Sequence, residues 1–219
     1  MKWQALSNYE TINKIMTFPV IIGIAGGTGA GKSTMCRQIA GTIEEDIVIV
    51  SHDMYYKDLS HMPVSERDRQ SFDHPSALDN KLFISHLTAL KKGNPIDAPC
   101  YDFVSHIRTA EIRRIDPVKT ILVEGLMLYT DKRIRDILDY KIYIDLGPDI
   151  RFIRRLKRDT EERGRNMNSV IEQYLATVKP MHDQYVEPSR KYADFVISGV
   201  DDKSGMNEIM AVIRMLEVQ

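Results

Sequence analysis

The sequence predicts an α/β protein with a doubly wound parallel sheet of about five strands. Short apolar runs alternate with segments of helical periodicity, and the runs are nearly continuous, as is typical of strands covered on both faces. The predicted strands are residues 20–25, 47–51, 120–124, 141–146 and 194–198. The predicted helices are residues 32–45, 80–92, 131–139, 148–162, 169–186 and 206–217. This alternation indicates parallel strands joined by helical crossovers.

Length and composition set the broad class. The chain has 219 residues, 43% hydrophobic and 28% charged, with a formal net charge of -1. We expect one domain over residues 18–219, preceded by a polar N-terminal extension, residues 1–17, with little stable structure. Without a basic excess or a long apolar run, neither nucleic acid nor a membrane is expected as a partner. Cys36 and Cys100 have no metal-site spacing, which favours reduced thiols in a cytoplasmic protein.

Two segments fall outside the strand and helix alternation. Residues 52–79 are polar and long for a connection, which usually indicates function. Residues 94–118 open with Asn-Pro and close with Asp-Pro, and they predict a β-hairpin inserted in a crossover. The hairpin contains the stretch PCYDFVSHIR, whose two aromatic rings, imidazole, carboxylate and guanidinium suit either a polar hairpin or a small-molecule pocket.

The strongest motif follows the first predicted strand and opens the first helix. It reads GGTGAGKST, satisfies the pattern GxxxxGK[ST], and predicts a P-loop NTPase-type fold that binds ATP or GTP. Backbone N–H groups of such a loop surround phosphate oxygens, the lysine reaches the β- and γ-phosphates, and the first hydroxyl ligates Mg²⁺. The predicted nucleotide-binding residues are Gly26, Gly27, Thr28, Gly29, Ala30, Gly31, Lys32, Ser33 and Thr34.

Two carboxylates follow predicted strands. Asp53 comes just after the second strand and Glu124 just after the third, at the sheet edge where open α/β sheets bind ligands. One acid would lie near Mg²⁺ and the other could accept a proton from an attacking hydroxyl. The alternative is that each acid caps the next element. Asn80-Lys81 is not followed by the aspartate of a guanine-specific NKxD element.

An arginine-rich segment is predicted at about residues 150–168. Residues 151–165 hold seven Lys or Arg against three Asp or Glu, and Ile150, Ile153 and Leu156 share one helical face. Such a run is usually a solvated, salt-bridged helix. Next to a phosphate loop, we favour a mobile lid whose guanidinium groups close over the transferring phosphates.

Several motifs together resemble the uridine kinase (uridine–cytidine kinase) family of P-loop nucleoside kinases. They run in the family's order from about residue 20 to residue 200, and FDHP, YDFxxHxR and MHxxYVEPSRKYAD are more specific than the phosphate loop. The motifs are GIAGGTGAGKST, VSHDMYY, FDHPSALD, YDFVSHIR, ILVEGLM, RRLKRDTEERGR and YLATVKPMHDQYVEPSRKYADFVI.

The resemblance implies a role for each matching residue. Asp53 would be the catalytic base for the ribose 5′-hydroxyl, and Ser33 and Glu124 would lie at Mg²⁺. The residues implied for the nucleoside are Asp73, Arg155 and Gln173 at the ribose diol and Tyr101, His106 and Arg165 at the pyrimidine. The residues implied for ATP are Lys32, Arg158 and Arg163 at the phosphates and Asp201 near the adenine. His52 departs from the family pattern, and we interpret it as a residue that occupies a turn.

The implied function is ATP-dependent phosphorylation of uridine or cytidine to UMP or CMP in pyrimidine salvage, in a cytoplasmic enzyme. The resemblance alone suggests a homotetramer. One alternative is another small-molecule kinase on the same scaffold, of the phosphoribulokinase, nicotinamide-riboside or pantothenate kinase type. A second is a regulatory protein that binds ATP without phosphorylating a metabolite.

Overall fold

The computed structural model describes residues 19–43, 47–67 and 70–217. Within them, five strands form a parallel sheet and two form an antiparallel hairpin. The strands are β1 Val20–Gly26, β2 Ile47–Ser51, β3 Ile96–Asp102, β4 Ile107–Ile115, β5 Thr120–Gly125, β6 Tyr140–Ile144 and β7 Phe195–Ile197. The parallel sheet has the order β2-β5-β1-β6-β7, so the predicted fold class is confirmed.

Helices cover both faces of this sheet. They are α1 Lys32–Thr42, α2 Val64–Arg67, α3 Asn80–Lys91, α4 Lys132–Arg135, α5 Pro148–Glu161, α6 Met167–Gln173, α7 Lys179–Met181, α8 Glu187–Ser189 and α9 Lys203–Glu217. No described helix is both long enough and apolar enough to cross a membrane. The predicted N-terminal extension lies outside the described residues.

Two apolar cores explain the continuous apolar runs of the strands. Along β1, Ile21 and Ala25 belong to the core on the α3 side, while Ile22 and Ile24 belong to the core on the side of α1 and α9. All four side chains are fully buried. A strand buried on both faces needs apolar residues at every position, which is why no alternation is visible in the sequence.

Two predicted helices differ from the structure. The helix predicted at residues 131–139 is the single turn α4, because the Asp139 backbone N–H already donates to Ile21 O and leads the chain into β6. The helix predicted at residues 169–186 begins earlier, at Met167, where the Asn166 side chain caps it. It then continues through the wide π-helical turns Tyr174–Val178 and His182–Val186. Pro180 and Pro188 each lie two residues beyond such a turn, and a wider turn accommodates a residue that cannot donate a helical hydrogen bond.

The predicted hairpin is formed by β3 and β4. Its register shifts between Pro99 and Tyr101, where the single β3 residue Cys100 lies opposite three β4 residues, 109–111. The alternation of burial along β3 also breaks there, and Tyr101 is buried as Ile96 and Ala98 are. The hairpin therefore presents the Tyr101 ring inward, toward the long connection at residues 52–79.

Two arginines hold the hairpin on that connection. Arg108 donates from Nε to Tyr56 O at 2.8 Å and from Nη2 to Tyr55 O at 3.2 Å. Arg67 donates from Nη1 to Ser105 O at 3.1 Å. Backbone carbonyls that would otherwise lose hydrogen bonds are thus satisfied across the two segments, and the hairpin and the connection form one wall.

Candidate active site

A cleft of about 660 Å³ lies at the carboxyl edge of the parallel sheet. The phosphate loop, the connection at residues 52–79, the hairpin and α5 all contribute to its lining. The predicted site residues that line it are Thr28, Gly29, Gly31, Lys32, Ser33, Thr34, Asp53, Asp73, Tyr101, His106, Glu124, Arg155, Arg158, Arg163, Arg165, Gln173 and Asp201. Gly26, Gly27 and Ala30 are buried within the phosphate loop and do not line the cleft.

The phosphate loop joins β1 to α1. Gly29 and Gly31 have φ values of 75° and 100°, a region in which a side chain would be strained. The first turn of α1 has no side-chain capping bond, so its N–H groups face the cleft as a site for an anion. The Lys32 ammonium donates to Gly26 O and Gly27 O, both at 3.2 Å, and burial lowers the pKa of this lysine.

The two strand-end carboxylates lie close to each other and to the phosphate loop. Glu124 Oε1 accepts a hydrogen bond from Ser51 Oγ at 2.7 Å, and Glu124 is also hydrogen-bonded to the Ser33 hydroxyl. Burial raises the pKa of Glu124, and the charge of Asp53 raises it further. Asp53 stands on the helical turn His52–Tyr55 directly after β2. This set of oxygen atoms is suited to a small hard cation such as Mg²⁺.

His52 takes no part in this group. It is fully buried, its Nε2 bonds Asn80 Oδ1 at 2.9 Å, and its ring stacks on Phe83 at 4.3 Å. Among the described residues its Nδ1 has no hydrogen-bond partner. Burial lowers the pKa of His52 to about 4, so the ring is neutral near pH 7. The interpretation of His52 as a turn residue agrees with this placement.

Asp73, Arg155 and Gln173 meet on one side of the cleft. Arg155 Nη2 donates to Gln173 Oε1 at 2.9 Å, and Arg155 Nη1 lies 4.0 Å from Asp73 Oδ1. Nη1 also donates to Thr28 Oγ1 at 3.2 Å, so the group is tied to the phosphate loop. Burial raises the pKa of Asp73, while Arg155 opposes this effect. A carboxylate, a guanidinium and an amide in contact are suited to a vicinal diol.

A buried carboxylate, Asp159, organises the arginines of α5 and was missed in the sequence analysis. Arg158 Nη2 lies 2.8 Å from Asp159 Oδ1, and Arg163 Nη1 lies 3.5 Å from the same atom. Arg155 Nε lies 3.4 Å from Oδ2. Asp159 is fully buried. The sequence carried a signal for this cluster. Asp159 follows Arg158 directly and lies four residues from both Arg155 and Arg163, a spacing that favours ion pairs on a helix.

Aromatic rings form another part of the cleft lining, called here the aromatic wall. His106 stacks on Phe72 at 4.3 Å between ring centroids, and Tyr101 lies 5.4 Å from Tyr56 and 5.3 Å from Phe103. His106 has a φ of 56°, a strained conformation of the kind that clusters at ligand sites. Phe72, Tyr56 and Phe103 were not predicted as site residues, although all three lie within the quoted motifs.

The Tyr101 hydroxyl is buried and has no hydrogen-bond partner among the described residues. Burial raises the pKa of Tyr101 to about 12, so the group remains a neutral donor and acceptor near pH 7. A flat ring with one polar edge would find both an aromatic surface and a free hydroxyl here.

Two further predicted residues lie elsewhere in the cleft. Arg165 Nη2 donates to Ser169 Oγ at 2.9 Å and its Nη1 donates to Gln173. Arg165 therefore adjoins the group formed by Asp73, Arg155 and Gln173, called here the diol group. Asp201 is at the rim, 90% exposed, with its Oδ2 3.7 Å from Arg154 Nη2. Arg154 also lines the cleft and was not predicted.

Fold and cleft together are those of a P-loop phosphotransferase. The carboxyl edge of a parallel sheet carries a phosphate-binding loop, two carboxylates and an arginine cluster in one cleft. Comparison with known proteins narrows this class. The chain belongs to the Phosphoribulokinase / Uridine kinase family, whose sequence model matches residues 21–204.

Individual relatives agree with this assignment. Uridine kinase of Geobacillus kaustophilus (strain HTA426) is 48% identical over 180 residues, which are 82% of this chain and 85% of that protein. Uridine kinase of Clostridium perfringens (strain 13 / Type A) is 46% identical over 201 residues, which are 91% of this chain and 97% of that protein. The structure of phosphoribulokinase from Rhodobacter spheroides has a TM-score of 0.60 at 16% identity, covering 87% of this chain and 74% of that one, and shows a shared fold.

Proposed function

We propose that this chain transfers the γ-phosphoryl group of ATP to the 5′-hydroxyl of uridine or cytidine, which gives UMP or CMP for pyrimidine salvage. One observation carries the proposal. The phosphate loop, a diol-binding group and an aromatic wall with a free hydroxyl share one cleft, so a nucleoside could place its 5′-hydroxyl between the wall and the nucleotide phosphates. The names of the relatives support the same activity.

Each side chain has a defined task in this reaction. Asp53 accepts the proton of the 5′-hydroxyl as the oxygen attacks the γ-phosphorus and the bond to the β-phosphate oxygen breaks. Lys32, Arg158 and Arg163 stabilise the negative charge on the transferring group. Asp73, Arg155 and Gln173 hold the ribose diol, which positions the hydroxyl for in-line attack.

The residues around Ser33 fit a magnesium ion. Ser33 and Glu124 would hold it, since both offer oxygen ligands. Burial and the charge of Asp53 raise the pKa of Glu124, and a cation would favour its charged form. When bound, Mg²⁺ neutralises charge on the β- and γ-phosphate oxygens.

The remaining assignments are also proposals. The segment at about residues 150–168 acts as a lid, with Arg158 and Arg163 closing on ATP. Arg165 contacts the pyrimidine and Asp201 the adenine. A cytoplasmic location and a homotetramer rest on the family resemblance.

A panel of acceptors tests the proposal. ADP release is measured with ATP, Mg²⁺ and, in turn, uridine, cytidine, adenosine, thymidine, ribulose 5-phosphate, nicotinamide riboside and pantothenate. We expect turnover with uridine or cytidine and little with thymidine, which lacks the 2′-hydroxyl that Asp73 and Arg155 would bind. Turnover with ribulose 5-phosphate but not with uridine would contradict the proposal, as would ADP release that never depends on an acceptor.

A further inference from the structure

The phosphate loop is supported from behind by a buried arginine, Arg151, in the first turn of α5. Arg151 is only 6% exposed and does not line the cleft. Its Nε donates to Leu146 O at 2.9 Å, and its Nη2 lies 3.1 Å from His182 Nε2. The guanidinium is therefore fixed at two points that belong to different segments of the chain.

Two glycines of the loop lie directly against this arginine. A Cβ atom placed on Gly27 would be 2.2 Å from Arg151 Nη1 and 2.7 Å from its Cζ. A Cβ atom on Gly29 would be 2.2 Å from the Arg151 backbone oxygen. Both distances are far below van der Waals contact, so a side chain at Gly27 would have to displace the Arg151 guanidinium and one at Gly29 the Arg151 backbone. Gly29 also has a positive φ, which disfavours a side chain by itself.

His182 completes the support. Since the Arg151 guanidinium can only donate, His182 Nε2 must accept, and the ring is neutral with its proton on Nδ1. Burial lowers the pKa of His182, and the charge of Arg151 lowers it further. Glu187 Oε2 accepts a hydrogen bond from Tyr143 Oη of β6 at 3.4 Å and lies 3.5 Å from His182 Nε2, which carries no proton to donate to it.

We infer that Arg151 is a positioning residue whose guanidinium, held by His182, keeps the backbone of Gly27 in place, so that the N–H groups of the phosphate loop point at the nucleotide phosphates. The inference rests on the proposed use of ATP. The positive charge of Arg151 also acts on the site. Burial lowers the pKa of Lys32, and the charge of Arg151 adds to this effect. A phosphate loop needs glycines so that backbone N–H groups can surround phosphate oxygens, and here Gly27 and Gly29 also lie against an arginine.

A double-variant cycle tests the inference by titrating a fluorescent ATP analogue into the wild-type protein, Gly27→Ala, Arg151→Ala and the combined variant. We expect each single change to weaken binding of the ATP analogue about tenfold or more, as for loss of a charged hydrogen bond. The combined variant should bind no worse than the weaker single variant, because the added methyl group no longer meets the guanidinium. Lys132→Ala, at an exposed position of α4 that does not line the cleft, is the control for loss of a positive charge and should leave binding unchanged.

Either of two results would overturn the inference. One is nearly unchanged nucleotide binding in Gly27→Ala, which would mean that Arg151 yields freely. The other is additive losses in the combined variant. If Gly27→Ala alone does not fold, recovery of folding on removing Arg151 supports the inference, and failure to recover contradicts it.

A second pair of variants tests the role of His182. These variants also test whether the support of Arg151 matters for nucleotide binding if Arg151→Ala does not fold. His182→Gln keeps an acceptor for Arg151 and should preserve nucleotide affinity, whereas His182→Leu removes the acceptor and should weaken it. Equal affinities would contradict the inference. All of these titrations omit the nucleoside, so a wild-type protein inactive on uridine would refute the proposed acceptor and leave this test intact.

Discussion

Replacing Tyr101 by phenylalanine should make the protein more stable and less able to bind its nucleoside. The lost atom is a buried hydroxyl without a hydrogen-bond partner among the described residues. An unsatisfied buried polar group costs about 1–3 kcal/mol, so the variant should gain on the order of 1 kcal/mol in the free energy of unfolding. For a chain of this size, that gain raises Tm by about 2–4 °C.

The same change should raise the KM for uridine about tenfold, because a polar edge of the bound base loses its partner. The KM for ATP should stay unchanged, since the phosphates bind elsewhere in the cleft. Thermal melting and steady-state kinetics with each substrate varied in turn measure both effects.

Tyr55→Phe is the matched control for this prediction. Tyr55 is also buried, but its hydroxyl bonds His86 Nδ1 at 2.9 Å and it does not line the cleft. Its loss should lower Tm and leave both KM values alone. If Tyr101→Phe instead lowers Tm without changing the KM for uridine, the hydroxyl is structural and the assignment of the aromatic wall is wrong. An equal rise in the KM for ATP would refute it too.

Three further perturbations give distinct results. Asp53→Asn should lower kcat by about 10²–10⁴-fold while the affinity for an ATP analogue stays the same, and a parallel loss of affinity would contradict its role as base. Asp159→Asn removes the common partner of three arginines, so chemical denaturation should show a loss on the order of 3 kcal/mol, and kcat should fall as well. An unchanged unfolding midpoint would argue against the buried cluster. Because the folded pKa of His52 is about 4, below its ordinary 6.5, stability is complete above pH 6.5 and falls by about 3 kcal/mol toward pH 4. Urea titrations at pH 7 and 5 should show a smaller pH effect in His52→Gln, and equal effects in both proteins would refute this.

The sheet could be predicted because its strands are short, buried on both faces and separated by helices. Continuous runs such as residues 120–124 have no other common explanation at this length. The one-turn helix α4 could not be predicted, because its end is set by the hydrogen bonds of Asp139 to β1, which lies 118 positions away in the sequence. The register shift at Cys100 was equally hidden, since it depends on the pairing of β3 with β4.

The candidate site also has features that could be predicted from the sequence and features that could not. The phosphate loop and the two strand-end acids follow from local motifs, and family resemblance adds Asp73, Arg155, Gln173, Tyr101 and His106. The pairing of Arg151 with His182 joins residues 31 positions apart and has no local signature. Asp159 had a local signature in its helical spacing, but it was counted among the charges of the segment and not as a partner.

Helix α5 distributes its charged and apolar side chains in an unusual way. A helix on a protein surface usually turns its apolar side inward. Here Arg151, Arg155 and Asp159 are buried, whereas Ile150 and Ile153 are 41% and 61% exposed.

The reversal has a physical cause, because the inner side of α5 faces the phosphate loop and the diol group instead of a core. Burying these charges is costly unless every one is paired, and Asp159, His182 and Gln173 provide the pairing. Three arginines share one aspartate at the wall of the cleft, so the cluster keeps an excess of positive charge. An anion such as a nucleotide phosphate would balance this charge, which is the role proposed above for Arg158 and Arg163.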